Sequence, residues 1–344
     1  MKKKQTGIRD LARALNVSPS TVSKALNGVT QIKPQTRRAV EEMARRMNYQ
    51  PNQIAQNLRN NKTNILGVIV PNLVSHFFAA TISGIQDVAA REGYNIIICQ
   101  SNESFQKEEK LVQTLIASRV DGLMMSFSRE TNTFDHLQPV FSKRIPLVLF
   151  DRVSDEITAS KVTVDDHDGA FNATEHLIEK GYRRIAHITG PEHLLISKSR
   201  LAGYIDAHKK HSLSIDEALI CYTNLLESEV VDKTNGLLNT DNPPEAIFCI
   251  NDVVATFVML VIKKRGLKIP DDIALVGFTN IPEAALIEPS LTTVSQPAYK
   301  MGEISATNLL NQIQHPDNFE PEQIVLKTDL IARQSTAVNK LQGA

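Results

Sequence analysis

Charge divides this chain more sharply than anything else in it. Residues 1–64 carry thirteen Lys and Arg against three acidic residues, Asp10, Glu41 and Glu42, a net of +10, whereas the other 280 residues carry 25 basic and 35 acidic side chains, a net of −10. That split predicts a small head built for a polyanion, joined to a larger acidic body that does something else. A length of 344 residues allows for both units, and a chain that is 42% hydrophobic with 15 Gly and 15 Pro is neither disordered nor fibrous. Cys99, Cys221 and Cys249 each have apolar neighbours and read as core thiols of a reducing compartment, not as a disulfide framework. The opening MKKKQTGIRD has no apolar core of a secretory signal, and no apolar run approaches the ~18 residues of a membrane span. The expectation is a cytoplasmic protein with no membrane partner.

Within the head, Thr6 is placed to cap a helix whose apolar positions Ile8, Leu11, Ala12 and Leu15 share one face. The run VSPSTVSKALNG then supplies Ser18 as N-cap, Pro19 at the first helical position, Val17 and Val22 as a hydrophobic staple and Gly28 as a stop. Two helices of about eight residues joined by so short a turn form a helix-turn-helix. With Val22, Ala25 and Leu26 turned inward, the outer face of the second helix presents Ser20, Thr21, Ser23, Lys24 and Asn27, groups suited to base edges and phosphates in a major groove. A third helix begins near Pro34 and buries Val40, Met43, Ala44 and Met47, with Arg37, Arg38, Arg45 and Arg46 on its polar side. Pro51 opens a last segment, Asn52 to Arg59, too short to be a stable helix alone.

Beyond Asn64, short apolar strands alternate with helical segments: 65–70, 95–100, 121–126, 146–151, 184–189, 246–250 and 273–278. Strands apolar on both faces are parallel and covered by helices, so the body is α/β. Seven strands with a possible break at KVTVDD (161–166) suggest two open sheets with a ligand cleft beyond their C-terminal ends. The residues that leave the strands include His76, Phe77 and Phe78, then Asp151 and Arg152, Gly190 and Pro191, Asn251 and Asp252, Thr279 and Asn280. Rings that cover an apolar face and forked groups that exchange hydrogen bonds with hydroxyls suit a polyhydroxylated ligand.

The run Ile8 to Lys62, with VSPSTVSKALNG, KPQTRRAVEEMARRMNYQPN and IAQNLR, resembles the DNA-binding head and hinge of the LacI/GalR family of bacterial transcription regulators. GVIVPN, RVDGLMM, LVLFDR, IAHITGP, SRLAGY, AIFCINDVVA, IPDDIALVGFTN and SLTTVSQP extend the resemblance, in order, to about Arg333. The resemblance implies a helix-turn-helix domain (1–50), a hinge helix (51–63) and a periplasmic-binding-protein-like core (64–344). Within the core, an N-subdomain takes about 64–164 plus 297–325 and a C-subdomain about 165–296 plus 326–338. It implies that Pro19, Ser20 and Lys24 read the major groove of a pseudo-palindromic operator. Leu58 would wedge the minor groove beside Ile54, Ala55, Asn57 and Arg59. It also implies a homodimer and a small-molecule effector, a sugar or sugar derivative, held by Phe77, Phe78, Asp151, Arg152, Arg200, Asn224, Asn251 and Thr279. Leu194, Leu195 and Ile196 stand where relatives place an Arg and a hydroxyl, and Thr279 where many place an Asp.

The body lacks GxGxxG, GxxxxGK[ST], CxxC and GxSxG, so dinucleotide, P-loop, structural zinc and serine-nucleophile chemistries have no minimal residues here. No cofactor, metal or enzymatic activity is expected. Asp165, Asp166, His167 and Asp168 precede a helix and read as its cap, and His208 and His211 as a solvated pair. Two alternatives stand beside the effector-controlled repressor. One is a DNA binder that ignores small molecules or answers to a protein corepressor; the other is a sugar-binding protein or sugar-acting enzyme with a fused head.

Overall fold

Gly7 is the residue from which the first helix starts. In the computed structural model, which describes residues 7–26, 31–49, 62–317 and 319–337, Asp10 reaches back to accept the Gly7 amide at 2.9 Å and so caps α1 (Ile8–Ala14). The cap therefore lies one residue later than the Thr6 expected from sequence, because the acidic residue at the third helical position satisfies an otherwise orphaned N–H. Asn16, at φ 53°, ends the helix in a left-handed turn in which Val17 N–H donates to the Ala12 carbonyl and Asn16 N–H to that of Arg13. Ser18 follows at once as N-cap of α2 (Pro19–Leu26), its hydroxyl accepting the Thr21 amide at 3.1 Å. The third helix, α3 (Pro34–Arg46), ends in the same turn, with Asn48 at φ 47°. Leu11, Ala12, Val22, Ala25 and Val40 form the buried centre of this unit.

The chain forms two compact units, 1–64 and 65–344. Asn27, Gly28, Ile54, Ala55, Asn57, Leu58 and Arg59 lie outside the described residues.

The second unit holds two six-stranded sheets. The first contains β1 (Ile65–Val70), β2 (Asn95–Gln100), β3 (Gly122–Met125), β4 (Leu147–Phe150), β5 (Ser160–Val164) and β11 (Gln323–Leu326), ordered β11-β5-β4-β3-β1-β2 and parallel throughout. The second contains β6 (Ile185–Thr189), β7 (Ile220–Tyr222), β8 (Ala246–Cys249), β9 (Ala274–Thr279), β10 (Thr292–Ser295) and β12 (Asp329–Ile331), ordered β12-β10-β9-β8-β6-β7, with only β12 antiparallel. All seven apolar runs are strands. The KVTVDD segment contributes β5, and the division expected there falls immediately after it, where the chain leaves the first sheet for the second. Two further crossings follow, one after β10 and one between β11 and β12. On each sheet a pair of helices packs through glycine: a Cβ on Gly302 would strike the Thr81 carbonyl, and one on Gly203 the His167 carbonyl. Asp165 caps the helix Asp166–Glu179, accepting the Asp168 amide at 2.9 Å, as expected, whereas Asp166 is no part of the cap: its Oδ1 accepts the Arg200 guanidinium. His208 departs from expectation. It is buried, its Nδ1 is 2.9 Å from the Tyr204 carbonyl, and only His211 faces outward, paired with Glu175.

Candidate functional site

Parallel strands put their carboxyl ends at one edge of each sheet, and the loops that leave them here converge on a cavity of about 90 Å³. Phe77 and Phe78 come from the start of the helix His76–Arg91 after β1, and Asp151 and Arg152 directly follow β4. Arg200 projects from the helix Leu195–Lys210, Asn251 caps the helix Asp252–Lys264 after β8, and Thr279 ends β9. Seven of the eight effector positions therefore line one cavity.

Asn224 is the exception. It is exposed, its amide N–H and Nδ2 donate to Glu229 at 2.6 and 3.1 Å, and its carbonyl accepts Arg129 Nη1 at 2.9 Å. It sits on the rim. Asp252, which sequence placed at the exit of β8, and Ile196, from the loop that departs from the family pattern, also line the cavity, as does Gln296, which sequence reasoning missed. Outside the lining, Arg129 reaches from the loop after β3 to the Asn224 carbonyl, its own carbonyl 2.8 Å from His193 Nε2. Gln296 had a usable signal, because it leaves β10 as the other site residues leave theirs. Arg129 had none.

The two guanidinium groups of the cavity are already engaged. Arg200, 3% exposed, donates from Nε and Nη2 to Asp166 Oδ1 at 2.8 and 2.7 Å and from Nη1 to the Ile250 carbonyl, and its Cζ lies 3.7 Å from the centre of the Phe278 ring. Arg152 Nη1 donates to Glu103 at 2.6 Å. Burial opposes the charge on Glu103, but Arg152 and the Arg129 amide outweigh it and hold the carboxyl below its usual range. Asp252, fully buried, accepts Thr293 Oγ1 at 2.5 Å and the Ile281 amide at 2.9 Å, so it braces the turn Thr279–Ile281. Thr279 sits in that turn at φ 125°, a costly conformation for a β-branched residue and one that the surrounding bonds impose.

Among the described residues, Asp151 has no such partner: the side-chain hydrogen bond it makes is a long one, 3.4 Å from Ser126. Burial, opposed by Arg152 and Arg200, pushes its carboxyl up to about 6. A folded-state value above the unfolded ~3.9 means that this group favours folding below about pH 4, and that the contribution is lost as pH rises through 6. Asp151→Asn should therefore stabilise the protein relative to wild type by about 1–2 kcal/mol at pH 7.5, a figure reduced for partial exposure, and by almost nothing at pH 4. Urea unfolding of both proteins at the two pH values checks this. Asn tolerates the left-handed backbone at this position, where φ is 58°.

Comparison with known proteins agrees with this geometry in both units. Residues 7–52 match the family model described as bacterial regulatory proteins, lacI family, and residues 174–336 match that of a periplasmic binding protein-like domain. The chain is 32% identical over 315 residues to the HTH-type transcriptional repressor CytR of Escherichia coli (strain K12), covering 91% of this chain and 92% of that one. Among solved structures, the Lac repressor dimer bound to operator and the anti-inducer ONPF superposes with a TM-score of 0.85 at 25% identity, over 97% of this chain and 99% of that one. The transcriptional regulator CelR–cellobiose complex superposes with a TM-score of 0.73 at 28% identity, over 96% of this chain and 100% of that one. With a helix-turn-helix head, two mostly parallel sheets whose loops line one cavity, and relatives of this kind along almost its whole length, the chain belongs to the lacI family of bacterial regulatory proteins and is a DNA-binding transcription regulator.

Proposed function

We propose that this protein is a repressor that grips a pseudo-palindromic operator as a homodimer and is controlled by a sugar or sugar-derived effector in the cleft of its body. One observation carries the reading: a capped recognition helix and a cavity lined by Phe77, Phe78, Asp151, Arg152, Arg200, Asn251 and Thr279 occur on one chain. Cellobiose in the CelR complex, and operator DNA and the anti-inducer ONPF with the Lac repressor, are among the ligands named for its relatives. Pro19, Ser20 and Lys24 are exposed on α2, with Thr21 and Ser23 partly so, and this face with Asn27 is assigned to the major groove. Leu58, with Ile54, Ala55, Asn57 and Arg59, is assigned to the minor groove. At about 90 Å³ the cavity is smaller than the ~300 Å³ and more that drug-sized ligands occupy, so effector entry requires the two sheets to part. Parting must break the Arg129–Asn224 bond.

Two surfaces fit the second protomer. Edge strand β2 exposes Ile97 and Ile98, and a groove of about 670 Å³ between the helices Glu227–Leu238 and Asp252–Lys264 is flanked by exposed Leu226 and Leu260. Among the described residues, no helix is long and apolar enough to cross a membrane, and no group of His, Cys, Asp and Glu could hold a metal. Because the relatives it matches are transcriptional repressors, a cytoplasmic, non-enzymatic regulator is the reading proposed. Leu58→Ala in the full chain tests the arrangement: specific operator affinity should fall at least about tenfold as the wedge is lost, with binding of the effector unchanged. Unchanged operator affinity would sink the proposed hinge mechanism.

A further inference from the structure

From the charge pairing inside the cleft we infer that the effector is uncharged at the groups that enter the cavity, bound through hydroxyls, and that the site rejects phosphorylated and other anionic forms of the same compound. This rests on the effector reading above and narrows it. Both cations that line the cavity are cancelled within the protein, Arg200 by Asp166 and Arg152 by Glu103. The Asp151 carboxylate has no such cation, and buried Asp252 adds a second negative group. The excess is negative, whereas a phosphate site needs cations free to meet it.

Hydrogen-bonding capacity leads to the same conclusion. Gln296, 9% exposed, turns a buried Nε2, and Arg152 a buried Nε, that find no partner among the described residues, and both residues line the cavity with Asp151. Among the described residues, these two buried N–H groups and the Asp151 carboxylate are offered to a ligand. A hydroxyl can accept from the first and donate to the second, whereas a phosphate dianion only accepts and would face Asp151 with like charge. Phe77 and Phe78, at 5.2 Å and nearly perpendicular, cover an apolar surface of the ligand. Ile196, which also lines the cavity, adds to that apolar wall.

The test uses the full chain at pH 7.5, where Asp151 is ionised, with matched pairs of probes: ribose and ribose 5-phosphate, glucose and glucose 6-phosphate, cellobiose and its phosphate, cytidine and cytidine 5′-monophosphate. Calorimetry and thermal unfolding should show that the neutral member of at least one pair binds, with its phosphorylated partner at least ~100-fold weaker, since an unrelieved like charge costs several kcal/mol. Asp151→Asn, whose backbone conformation suits Asn, should narrow that ratio to below tenfold, and Gln296→Leu should weaken the neutral compound about tenfold. A phosphorylated compound that binds as well as its parent, or silence from every pair, would overturn the inference. So would a neutral ligand that both variants bind as wild type does, because it would sit elsewhere. Neutral binding that leaves operator affinity untouched would instead contradict effector control and leave the charge selectivity standing.

Discussion

Arg200→Leu will cost the body about 3–5 kcal/mol of stability, because it strands a buried carboxylate. Asp166 and Arg200 are 8% and 3% exposed, and the guanidinium also supplies the donor that satisfies the Ile250 carbonyl and stacks on Phe278. The double variant Asp166→Asn, Arg200→Leu should recover part of the loss, since the penalty lies mainly in the unpaired charge. Urea unfolding read through the linear extrapolation separates the cases. A loss under 1 kcal/mol in the single variant would mean that Asp166 takes up its proton or finds water at little cost, and that the pair does not organise the cleft.

Operator binding should weaken about 10³-fold between 50 and 200 mM salt. A basic head with a net charge of +10 in each protomer can meet six or more phosphates per dimer, and each neutralised phosphate adds about 0.9 to the logarithmic slope. Arg46 is less available than the count suggests, because Glu42 holds it at 2.5 Å. Arg38 and Arg45 are exposed on α3, so charge removal at these positions should lower the slope by about one per contact while leaving sequence preference intact. Binding that is insensitive to salt would contradict the assignment of this face to the phosphate backbone.

The head was legible almost residue by residue, because caps and stops are local chemistry: Ser18, Pro19 and Val22 hold the positions that their sequence demands. The cap falls at Gly7, one residue past the Thr6 expected, where Asp10 at the third helical position accepts the Gly7 amide. In the body, strands written as unbroken apolar runs could be read directly. The others could not. β7 and β12 are three residues each, β5 alternates buried and half-buried positions, β10 is written mostly in hydroxyl residues (TTVS), and β11 is half exposed, so their identity comes from the neighbours they pair with. The same division holds at the site. Residues that leave a readable strand, such as Asp151 and Asn251, fall in the cavity, whereas Asn224 follows the short β7 and lands on the rim. The pairing that cancels Arg152 could not be read at all, since Glu103 stands 49 residues away in a different loop.

The central claim is that paired heads read DNA sequence, and selection of sites from a random duplex pool by the full-length protein tests it most directly. The account predicts enrichment of a two-fold related sequence, two half-sites about a common centre, with protection on both. Enrichment of nothing, or of a single half-site without symmetry, would contradict it.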